Sequence, residues 1–184
     1  MQMFYDWQRN SRDLIVPEIH LADAFLPPHS ASTYWGQEWA AGDSAIQNYG
    51  GTIESQNNNW TASAGLFRSV RDTFRGYSDL YDETQSNELS LHHILINYPQ
   101  QRSSSTSGEL RLVRHFGTGA QRQDIIFSIR GRHVDSRYGG TDTQDAGPAL
   151  IGQGVQSPRP NFIFSPLTRD PNRLLLAGVA FRGQ

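Results

Sequence analysis

The sequence predicts an α+β fold in which one amphipathic helix packs on a largely antiparallel meander sheet; the alternative is a mainly-β, sandwich- or jelly-roll-like chain. Three observations carry the prediction. Phe67, Val70, Phe74, Tyr77 and Tyr81 recur at spacings of 3, 4, 3 and 4, which draws one apolar stripe at helical period over residues 63–81. Three β-rich runs follow at 89–98, 109–116 and 124–131, joined by the polar, Gly-containing connections PQQRSSSTSG and GTGAQRQ. No helical pattern remains between those runs to serve as a parallel crossover.

Taken in order, residues 1–62 read as irregular chain with short strands. DLIVPEIH (13–20) is a strand that Pro17 confines to an edge. Phe25-Leu26-Pro27-Pro28 is a stiff connection, and Gly50-Gly51 is a turn. The predicted helix begins after Thr61 or Ser63, either of which can cap it, and Gly76 weakens its interior by about 1 kcal/mol. In the second β-run Leu110, Leu112 and Phe116 alternate with Glu109, Arg111 and His115, giving one dry and one wet face.

Residues 139–160 (GGTDTQDAGPALIGQGVQSPRP) are rich in Gly and Pro and too long for an ordinary loop. They read as a lid, or as an extended arm that orders on a neighbour. Strands are expected at 161–165 and 173–182; the latter, RLLLAGVAFR, is apolar on both faces and needs cover. The whole chain, 1–184, is one domain.

Composition narrows the chemistry. Of 184 residues, 36% are hydrophobic and 18% charged, with a net charge of −2; both fractions lie below those usual for globular domains. Ser, Gln, Thr and Asn fill the difference. All 16 basic residues are Arg, and Cys is absent. Disulfides, thiolate nucleophiles, Cys-based metal sites and Schiff-base or P-loop lysines are therefore excluded. No cofactor and no metal site are expected. No stretch has the length of an apolar membrane span. The N-terminus, MQMFYDWQRNSRDL, lacks the charged-then-apolar pattern of a signal peptide, so a virion or the cytoplasm is the expected location.

The candidate acid/base groups are His92, His115 and His133, because imidazole titrates near neutrality. Were Tyr98 to pair with Glu109 in a hairpin, His92 would face His115 across the strands. Gly42-Asp43-Ser44 has the residue order of a hydrolase nucleophile block, but no Asp-x-x-His exists anywhere in the chain. Arg111, Arg114, Arg130 and Arg132 are candidate contacts for an anionic partner or a neighbouring subunit. They lie in a segment, 102–137, with seven Arg against three acids, whereas residues 1–82 hold five Arg and ten acids. Opposite-signed halves suit head-to-tail self-association better than nucleic-acid binding.

The expected function is a non-enzymatic structural or assembly protein, a homo-oligomer or phage or viral particle component whose partners are its own copies or other particle subunits. A Lys-free effector or toxin domain with His-based acid/base catalysis is the second reading. A small ligand-binding module walled by Trp35, Trp39 and Trp60 is the third.

Overall fold

The computed structural model describes residues 1–14, 16–20, 34–83, 90–117, 123–150 and 156–183. All regular structure among them is β: β1 (Gln2–Arg12), β2 (Glu18–His20), β3 (Gly42–Asn57), β4 (Trp60–Glu83), β5 (Ser90–Tyr98), β6 (Gln101–Phe116), β7 (Gln123–Tyr138), β8 (Asp142–Leu150) and β9 (Thr168–Gly183). The α+β expectation is thus corrected to the mainly-β alternative.

The predicted helix is strand β4, 24 residues long, or about 80 Å of extended chain. Two sequence features oppose a helix there. Trp60, Ala62, Ala64 and Leu66 alternate with Thr61, Ser63 and Gly65 at period 2, and Gly65 and Gly76 lie in the interior. Pairing on both sides then overrides the stripe: β4 is hydrogen-bonded to β3 and β6, and further along to β2 and β5. The supposed stripe splits between faces, with Phe67 on one and Val70 on the other, and a register irregularity at Phe74 breaks the alternation beyond them.

A large antiparallel sheet runs β1-β3-β4-β6-β7-β9. A smaller one is built on the far end of β4, where β2 pairs in parallel, β5 pairs antiparallel, and β8 pairs with β5. β5 and β6 do not form the expected hairpin. They follow each other along β4 in a single register, Gly76 opposite Tyr98 and Thr73 opposite Gln101. Pro99, which has no N–H to give a ladder, interrupts them. Most of the connection expected at 99–108 is strand.

The chain's own core lies at the small sheet. Trp35, Tyr81, Leu91 and Ala149 are buried together with Ile19 against them. Gln37, Asp79, His93 and Asn97 are the buried polar groups beside them. Within 139–160, residues 142–150 form β8, and 156–157 bind the loop at 36–39 of the same chain. The Glu38 N–H donates to Gln156 Oε1 (3.1 Å), Gln156 Nε2 to the Gly36 carbonyl (2.8 Å), the Ser157 N–H to Gln37 Oε1 (2.7 Å) and Trp39 Nε1 to the Ser157 carbonyl (2.7 Å). Residues 161–165 are not a strand; Phe162 instead packs on Trp39 and Tyr77.

Candidate functional site

The registers place the large sheet's side chains in rows. Met3, Gly51, Leu66, Gly108, Gly131 and Leu175 form one row across all six strands. The next row on the same face is Ile53, Ala64, Leu110, Ile129 and Ala177, and the next is Ser55, Ala62, Leu112, Phe127 and Val179. Because three members of the first row are glycines, a trough of about 1200 Å³ crosses the face there, walled by Met3, Leu66, Leu110 and Ile129. A second hollow of about 830 Å³ adjoins it over Leu112, Phe127 and Val179.

The walls are open to solvent, Leu66 being 61% and Leu110 59% exposed, and so are Leu175 (76%) and Phe181 (78%) on the same face of β9. At the same levels the opposite face carries Glu54, Ser63, Arg111, Ser128, Glu109 and Arg130. Over these rows β3, β4, β6 and β7 therefore carry apolar residues on one face and mainly polar ones on the other, as a strand does when only one face is to be covered, whereas β9 is apolar on both faces. The apolar half ends at a row of Tyr5, Tyr49, Arg68, Thr106, His133 and Arg173. Beyond it come ion pairs, among them Arg9–Asp43 (2.8 Å), Arg102–Asp72 (3.7 Å) and Arg169–Asp135.

β9 closes one side of this sheet. The sequence demands cover for it, yet every described side chain from Thr168 to Arg182 is exposed. The chain's accessible surface is 12798 Å². A compact monomer of its mass exposes about 8,900 Å².

The predicted site residues scatter. Arg111, Arg130 and Arg132 share the polar face, but Glu109 lies 3.6 Å from Arg130, and Arg132 Nε donates to Ser105 Oγ (3.1 Å). Arg114 is on the apolar face, its guanidinium 4.7 Å from the Trp60 ring centroid and 5.4 Å from that of Phe116. The charge halves meet inside one chain, since Arg102 of β6 reaches Asp72 of β4.

His92 and His115 do not face each other. His92 lies opposite Asp82 and Pro148, with its Nε2 2.6 Å from Asp145 Oδ1. The Gly147 N–H, and then His92, hold the Asp145 carboxyl below its ordinary pKa. His133 sits between Thr106 and Arg173 in the boundary row, its Nδ1 buried and without a hydrogen-bond partner among the described residues.

His115 alone is assembled into a relay. Its Nδ1 is 2.7 Å from Asp124 Oδ1, and its Nε2 is 3.1 Å from Thr61 Oγ1. Three neighbouring strands supply the three groups. Asp124 orients the ring and Thr61 occupies the place of a polarised hydroxyl, an arrangement able to move a proton. Asp124 is placed by the β6–β7 register, which sets it opposite His115, and Thr61 by the β4–β6 register, which sets it opposite Val113; neither register was legible in the sequence.

A third imidazole–carboxylate pair is sealed in the core. His93 Nε2 donates to Asp79 Oδ1, Asp79 Oδ2 accepts the Gln37 N–H (3.0 Å), and the Tyr81 hydroxyl donates to the Trp35 carbonyl (2.7 Å). Burial, reinforced by Asp79, pushes the Tyr81 hydroxyl well above its ordinary pKa. At 1% and 3% side-chain exposure His93 and Asp79 reach no substrate; they hold the small sheet together.

The three tryptophans do not wall one pocket. Trp35 is core and Trp39 packs on Tyr77, 17 residues along β4 from Trp60, or about 55 Å of strand. Among the described residues no group of three His, Asp or Glu could hold a metal ion, and no helix is long and apolar enough to cross a membrane. No protein-family model matches the chain, and no curated protein is similar to it.

Proposed function

We propose that this chain is a non-enzymatic structural subunit of a homo-oligomeric assembly, of the kind that builds a phage or viral particle. One observation carries the reading: half of one face of the large sheet is apolar and open to water, while the core that stabilises the chain lies elsewhere. A contiguous apolar patch beyond a few hundred Å² marks an interaction surface. Six strands about 4.8 Å apart, covered over three rows and their margins, give roughly 500 Å².

A lipid surface is the less fitting occupant. The apolar stretch from Trp60 to Leu66 is seven residues, shorter than the 9–11 a membrane strand needs.

Light scattering on the purified protein at low and high salt tests the proposal. A defined oligomer is expected, and it persists in high salt because apolar contacts are not screened as ion pairs are. A 20.7 kDa monomer at every salt concentration overturns it.

The Asp124–His115–Thr61 relay favours a second reading, a Lys-free effector domain with His115 as its acid/base group. A folded His115→Ala variant that loses toxicity in cells expressing the chain would establish it over the first; undiminished toxicity would remove it.

A further inference from the structure

Among the described residues the large sheet has two unpaired edges, β1 and β9, and they fit each other. Its six strands alternate in direction throughout, so β9 runs opposite to β1. A β1 laid along the β9 of another copy therefore continues the antiparallel pattern; an odd number of strands would have made that join parallel.

We propose that the free edge of β1 in one copy pairs with the free edge of β9 in the next, so that the large sheet runs on from subunit to subunit. This rests on the reading of the chain as a self-assembling subunit, and it names the joint.

Over their apolar parts the edges carry little of the usual protection. Monomeric sheets blunt an exposed edge with Lys, Pro, inward charges or a covering segment. Here Lys is absent, β1 has no Pro, and β9 has only Pro171 near its start. From Leu174 to Ala180 the β9 edge bears no charge.

The faces also agree. Met3, Tyr5 and Trp7 of β1 lie on the same side of the sheet as Leu175, Ala177 and Val179 of β9. A side chain's face alternates along a strand, so a register that puts odd residues opposite odd residues extends the apolar half-face and the polar face together.

Area and symmetry favour two joints per subunit. The surface in excess of a compact monomer is several times the roughly 800 Å² that one standard interface takes from each partner. Two copies joined β9 to β9 would leave both β1 edges open. A head-to-tail joint uses each edge once, and rotation of one copy onto the next can close a ring with no edge left.

A chain without Cys makes the test direct. Tyr5→Cys is mixed in turn with Arg173→Cys, Leu175→Cys, Ala177→Cys or Val179→Cys, oxidised mildly, and read on a non-reducing gel. Directly opposed residues have Cβ atoms close enough for a disulfide. One of the four partners is expected to link to Tyr5→Cys at least tenfold more than either variant links to its own kind. An assembly of unchanged mass that links only β1 to β1 or β9 to β9, or gives no link with any partner, overturns the edge joint and leaves the subunit reading standing. Monomers throughout, wild type included, overturn both.

Discussion

The ring of His93 lies flat on the ring of Tyr81, with centroids 4.3 Å apart and planes 4° from parallel. Tyr81 belongs to β4 and His93 to β5, directly opposite in the ladder. The stack therefore joins the strand common to both sheets to the centre of the small one. Asp79 fixes the imidazole from the same side, two residues from Tyr81 along β4.

Removing one partner of a buried pair leaves the other uncompensated. Asp79→Ala is expected to lower unfolding stability by about 3–5 kcal/mol, and His93→Ala by a comparable amount. Urea denaturation followed by circular dichroism reads both. Losses below 1 kcal/mol would show that the pair does not hold the small sheet.

Gly50 is required by close approach. A Cβ built there would sit 2.6 Å from the Leu66 carbonyl oxygen and 2.7 Å from Phe67 Cδ1. Gly50→Ala is expected to cost about 1–3 kcal/mol through overpacking against backbone. Gly178→Ala, whose nearest neighbour is Ser128 Oγ at 3.9 Å, serves as the control and stays near wild type. Equal thermal midpoints for the two variants would refute the assignment.

Acid should loosen the chain through four carboxylates, Asp145 described above and three others. The Ile163 N–H, then Gln144, hold Asp142 below its ordinary range; hydrogen bonds from Arg169 and Arg9 do the same for Asp135 and Asp43. Each group binds a proton more weakly folded than unfolded, so its stabilisation is complete above the unfolded value of about 3.9 and is lost as pH falls through the lower folded value. The thermal midpoint is expected to drop on going from pH 6 to below pH 4, and to drop less for Asp142→Asn. Identical acid profiles for that variant and the wild type would refute the role of Asp142.

A charge on the apolar half-face separates interface from idle surface. Leu110→Glu is expected to reduce the assembly to smaller species in light scattering while leaving the circular dichroism spectrum intact. Ser128→Glu, on the polar face, leaves the mass unchanged. An unaltered mass for Leu110→Glu would place the subunit contact elsewhere on the chain.

What the sequence disclosed follows from the physics of pairing. The runs around β5, β6 and β7 were legible because β-branched and aliphatic residues cluster there; the alternation of Leu110 and Leu112 with Arg111 gave an apolar and a polar face, but the apolar one is not dry, Leu110 being 59% exposed. β4 was misread because Phe67, Val70 and Phe74 satisfy a helical period by coincidence. A strand paired on both sides is decided by its neighbours, which local periodicity does not contain. The His92–His115 pairing failed for a related reason: it needs a hairpin at 99–108, and that segment instead continues along β4. The apolarity of 173–182 was legible, and the cover it demands is not supplied by the described residues of this chain.

The shared register of β5 and β6 along β4 has a mechanical meaning. Two sheets that met only through a loop would part under load by opening that loop. Here a pull on the small sheet along the axis of β4 reaches the large sheet as shear, spread over the ladder between Trp60 and Thr73 and its partners from Gln101 to Arg114. Hydrogen bonds loaded together in shear must break together, whereas those peeled from one end fail in turn.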